Sequence, residues 1–85
     1  MRPIINTVAS ITFARLAEIE KKDWDGSFNG WDRGAVLSLL AKDYDIEDAI
    51  DAAGIRNEYD LFIGNDLDDV ATVVLGAIEG LKLAA

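Results

Sequence analysis

Apolar residues recur at helical spacing along most of this chain, and short clusters rich in aspartate, asparagine and glycine separate the runs. Val8, Ile11, Leu16 and Ile19 fall on one side of a helix, with Arg15, Glu18, Lys21 and Lys22 towards the other. The spacing predicts a first helix capped by Asn6 or Thr7 and running to about Lys22. Met1 to Ile5 reads as a lead-in, with Pro3 discouraging helix before it. Lys21 and Lys22 suit the negative end of the helix dipole. Asp23 to Trp31 carries two glycines, two aspartates, a serine and an asparagine, the composition of a loop. Asp32 is then placed to cap a second helix, Arg33 to Lys42, whose apolar residues are Val36, Leu37, Leu39 and Leu40.

Asp43 and Tyr44 break that pattern. Asp45 is the expected cap of a third helix, Ile46 to Ala53, with Asp48 in the capping-box position and Gly54 as a left-handed stop. Asn57 to Ile63 reads as a single helical turn ended by Gly64. A short strand over Tyr59 to Ile63 is the alternative, disfavoured because no second strand is available to pair with it. Asn65 or Asp66 opens the last helix. Leu67, Val70, Ala71, Val74, Ile78 and Leu81 form its stripe, and Val73, Leu75 and Ala77 make its middle apolar almost all round. Such a helix is central to a bundle or shared with a partner. The expected fold is therefore all-α: one domain over residues 1–85, a small compact bundle of four to five helices with the C-terminal helix central.

Composition adds constraints. With 85 residues the chain can build one core but not two. Half of it is hydrophobic, which excludes an acidic disordered tail. It has no cysteine and no histidine, so disulfides, thiolate metal sites and the usual general base are all missing. Near the N-terminus, Asn6, Thr7, Ser10, Thr12 and Arg15 interrupt any signal-peptide core. The expected location is the cytoplasm.

Charge is distributed unevenly. Asp43 to Asp69 holds ten acids and one base, Arg56, a net of −9 in a chain whose total is −8. Acids in the first turn of a helix stabilise it by roughly 0.3–1 kcal/mol each, which accounts for Glu47, Asp48, Asp68 and Asp69. It does not account for ten like charges beside a single base, because such charges repel. A surface of this sign disfavours direct contact with nucleic acid or an anionic membrane.

Several motifs begin and then fail. Asp25, Ser27 and Asn29 sit at the oxygen-ligand spacing of a calcium loop, but Val36 stands where a bidentate Glu is needed. Ile46 to Ile63 has the outline of a helix-turn-helix, yet its second helix would present Glu58 and Asp60 to phosphate. Asp-Leu-Asp-Asp at a helix start resembles acyl carrier protein, but Leu67 occupies the place of the serine that carries the prosthetic arm. Carboxylate pairs fall at helix starts with no nucleophile beside them, so no enzyme activity, cofactor or metal is expected.

Two functions follow as expectations. The first is an inhibitory binding protein whose negative face, imitating nucleic acid, occupies a basic site on a larger protein. In size and charge alone the chain resembles phage anti-CRISPR and anti-restriction proteins. Asp45, Glu47, Asp48, Asp51, Asp66, Asp68 and Asp69 are expected to converge as the third and last helices pack, with Trp24 and Trp31 as candidate aromatic anchors. At least one of the two tryptophans is expected instead to fold back and seal one end of the core. The second is a structural module docking through the apolar last helix. Gly76 and Gly80 lie on one side of that helix. They suit close approach of another backbone, either a second copy in a homodimer or the first helix of the same chain.

Overall fold

The computed structural model describes residues 3–54 and 66–84, and its described elements are all helices. They are α1 (Pro3–Asp23), α2 (Arg33–Lys42), α3 (Tyr44–Ala52) and α4 (Asp66–Ala84). The single turn or strand expected between Asn57 and Ile63 lies outside the described residues. α4 packs against both α1 and α2, and α3 packs against α1. The C-terminal helix is thus the central one, as its apolar circumference predicts. No described helix is long and apolar enough to cross a membrane.

The core follows from four stripes. Val70, Ala71, Val74 and Ile78 of α4 are buried against Ile5, Val8, Ala9 and Leu16 of α1 and Val36 of α2, and α3 contributes Ile46 and Ile50. Leu81 and Leu83 lie beyond the packed part of α4 and are exposed, Leu83 by 80%. The α4 stripe therefore ends at Ile78, one turn short of the expected Leu81.

α1 differs from expectation at both its start and its face. It begins at Pro3, so the lead-in is helical from Pro3 onward and neither Asn6 nor Thr7 is a cap. Proline suits the first turn, because its φ is already helical and the missing N–H would have no partner there. The buried line runs through Val8, Thr12, Leu16 and Glu20, spaced every four residues, while Ile11 and Ile19 are only half-buried. Thr12 meets the demands of burial by donating its hydroxyl to the Val8 carbonyl at 2.8 Å.

The corner between α2 and α3 is tighter than the sequence suggests. Asp32 caps α2 as expected, its Oδ1 accepting from Ala35 N–H at 2.8 Å. Asp43, not Asp45, caps α3: its Oδ1 accepts from Ile46 N–H at 3.0 Å. The same residue closes α2, donating its own N–H to Leu39 O at 2.9 Å. Arg15 of α1 reaches both aspartates, its Nε 3.1 Å from Asp43 Oδ2 and its Nη2 3.1 Å from Asp45 Oδ2, and so ties the corner to α1. Gly54 ends α3 with φ of 73°, the left-handed conformation a glycine adopts without a Cβ clash.

Candidate functional site

Ile46 and Ile50 are one turn apart, so burying them fixes the rotation of α3. Asp48 and Asp51 then point away from the core, Asp45 and Glu47 flank them, and all four are exposed. Tyr44 shares that outward stripe and is 79% exposed. Hydropathy reasoning passed over Tyr44 as a pattern breaker. Its signal was its i, i+4 and i+7 relation to Asp48 and Asp51.

Two arginines fold onto the acids. Arg15 Nη2 lies 3.1 Å from Asp45 Oδ2 and Arg15 Nη1 lies 3.2 Å from Glu18 Oε2. The Asp43 hydrogen bond, aided by the charges of Asp43 and Asp45, holds the Arg15 pKa above its usual value. Arg33 pairs with Asp68 at 3.6 Å, and also donates to the Asp68 carbonyl at 3.0 Å and to the Thr72 hydroxyl at 2.9 Å. Among the described residues, Glu47 and Asp48 have no ion-pair partner.

The expected site residues therefore separate into groups. Asp45, Glu47, Asp48 and Asp51 share the outer surface of α3. Asp68 and Asp69 open α4, Asp68 exposed and Asp69 half-buried, and α4 packs mainly on α1 and α2 rather than on α3. Asp66 must be withdrawn from any exposed face: it is only 7% exposed, one turn before the buried Val70 on the inward side of α4.

Trp24 and Trp31 stack on one another with centroids 5.2 Å apart, and Trp24 is half exposed while Trp31 is half-buried. A second stack, Phe13 on Phe28 at 6.0 Å, holds the other side of the same loop. Phe28 adopts a φ of 60° to place its ring there. The oxygens of the calcium-like spacing are turned to local work. Asp25 Oδ1 accepts from Ser27 N–H at 2.9 Å, and Ser27 Oγ accepts from Asn29 N–H at 3.2 Å. Hydrogen bonds from the Ser27 side chain and then its backbone hold the Asp25 carboxyl below its ordinary pKa. That contribution is present at neutral pH and is lost as pH falls through the lowered folded-state value.

Trp31 also reaches inward. Its indole Nε1–H donates to Glu20 Oε1 at 2.9 Å, and Glu20 is 1% exposed. The other oxygen, Glu20 Oε2, has no hydrogen-bond partner among the described residues. The sequence places Glu20 among the charges at the end of α1, so only its four-residue spacing from Leu16 and Thr12 could have marked it as buried. No protein-family model, curated protein or solved structure matches this chain.

Proposed function

We propose that this is a non-catalytic binding protein that acts in the cytoplasm and presents the acidic outer surface of α3 to a basic site on a larger protein. A site that normally grips nucleic acid has the required sign, which is the manner of phage anti-CRISPR and anti-restriction proteins. The observation that carries this reading is the pair Glu47 and Asp48, exposed on adjacent positions with no ion-pair partner among the described residues. A solvated helix of ordinary design interleaves such charges with lysine or arginine, and α3 contains neither. Tyr44 on the same stripe supplies the kind of aromatic that dominates interface energetics.

Glu47→Lys with Asp48→Lys tests this more cleanly than reversal at Asp51 or Asp68. Asp68 already holds Arg33, and Asp51 has an interaction of its own. The expected result is loss of the protein that co-purifies with the wild type from its native cell, at an unchanged melting temperature. Recovery of that protein with wild-type binding should also fall steeply as salt rises. Retention of the same partner by the double variant would overturn the reading.

One observation favours a second reading, an oligomerisation module built on α4. Among the described residues a Cβ added at Gly76 or Gly80 would meet nothing within 4 Å, so α1 is not the backbone these glycines make room for, and Leu81 and Leu83 are exposed just beyond. In a monomer, Gly76→Ala should stabilise by about 1 kcal/mol, since the helix gains propensity without a clash. In a homodimer packed through the glycines, the same substitution should weaken association. Sedimentation at high micromolar concentration, beside a melting curve of Gly76→Ala, separates the two.

A further inference from the structure

We propose that this chain forms a closed twofold dimer in which Tyr44 of each copy enters an aromatic hollow on the other. The hollow has a volume of about 390 Å³, room enough for a phenol ring, and Trp24, Trp31, Ala35 and Leu39 give it apolar walls. Trp24 is stacked on Trp31 and still half exposed. Apolar surface left open in this way marks a place where another molecule docks. Lys42 and Asp43 complete the walls with one charge of each sign. Asp43 is already engaged, by Arg15 and by the Ile46 N–H. Lys42 is exposed and has no ion-pair partner among the described residues. The occupant that complements this hollow is an aromatic or apolar group with an acid close behind it.

The chain itself carries such a group. Tyr44 is 79% exposed and takes no part in the walls of its own hollow. Glu47 and Asp48 follow it by three and four residues, one turn along the same helix, which is the distance at which side chains are neighbours. Both acids are exposed and unpaired among the described residues, so a Tyr44 ring seated in the hollow brings them to Lys42 of the other copy. Adjacency closes the pair. Asp43 is a wall of the hollow and Tyr44 is the next residue, so each copy carries its insert beside its receptor. A twofold axis at this corner fills both hollows at once, the self-complementary arrangement of a closed dimer. The contact is separate from any packing through Gly76 and Gly80. It uses α3 residues that the proposed larger partner also needs, so dimer and partner exclude one another, and the inference does not depend on that partner.

The test is sedimentation equilibrium of the full chain from low to high micromolar concentration, with tryptophan emission followed over the same range. The wild type should dimerise, and its emission should move to the blue as Trp24 is covered. Tyr44→Ala and Trp24→Ala should each weaken the dimer at least about tenfold. Tyr44 is outside the core, so its variant keeps the fold, which circular dichroism checks. Asp48→Lys should also weaken the dimer, although one acid becoming one base takes the net charge from −8 to −6 and eases the general repulsion between copies. Lys42→Glu combined with Asp48→Lys exchanges the two signs and should restore the dimer. A monomer throughout the range, or a dimer indifferent to Tyr44→Ala, would overturn the proposal. A dimer lost in Gly76→Ala and kept in Tyr44→Ala would overturn it too, and would assign association to α4. Trp24 is no part of α3, so Trp24→Ala should lose the dimer and still recover the protein that co-purifies from the native cell. Failure of this dimer and failure of the α3 reading are thus told apart.

Discussion

Val74→Asp should leave no cooperative thermal transition to measure. Val74 is fully buried, between Val70 and Ile78 on the stripe that meets both α1 and α2. The core around that stripe is hydrophobic and none of the described buried residues is a cation, so a carboxylate there finds no positive partner. Burying an unpaired charge costs several kcal/mol even after the group neutralises itself. A domain of this size has roughly 5–10 kcal/mol of total stability. The substitution therefore removes most or all of it. Circular dichroism on heating is the measurement. A wild-type melting curve would mean that α4 is not the centre of the bundle.

Asp43→Ala should produce a clear loss of stability from a position that is only partly buried. One carboxylate caps α3 and receives Arg15. Removing an aspartate N-cap costs about 1–2 kcal/mol. The ion pair, with side chains 26% and 12% exposed, adds at most about 1 kcal/mol once solvent screening is allowed for. The sum lowers the melting temperature by roughly 8–15 °C in a domain this small. Asp43→Asn divides the two contributions, since asparagine caps as well as aspartate but does not attract the guanidinium. It should recover most of the loss. Equal damage from Asn and Ala would place the energy in the Arg15 contact rather than in the cap.

Much of this architecture is readable from local chemistry. Asp32 and Lys42 bracket α2 because a cap and a basic last turn are both sequence-local signals. Gly54 is legible because only a glycine adopts its conformation cheaply. The apolar circumference of α4 foretells its central place. What local reasoning misses depends on partners distant in sequence. Asp43 and Asp45 are equivalent candidates by sequence, and Arg15, 28 residues from Asp43, pairs with both; only the packed corner gives the cap to Asp43. Glu20 looks like surface until Trp31, 11 residues on, arrives above it. Hydropathy assigns glutamate to solvent, so the buried line of α1 is drawn through Ile11 and Ile19 instead. The acidic surface shows the same limit. Sequence counts its charges, but folding decides that Asp66 is inside and that Asp68 faces Arg33.

The arrangement of α3 divides inheritance from display. Asp43, Ile46 and Ile50 hold the helix in place and face inward or sideways, whereas Tyr44, Glu47, Asp48 and Asp51 carry no part of the core. The outer positions can be rewritten one at a time while the frame stays folded. Phase alone is protected: one residue inserted between Lys42 and Tyr44 would turn the helix by about 100°, carrying the isoleucines towards water. Under pressure from a changing target, such a protein would drift by substitution on α3 and almost never by insertion at its root.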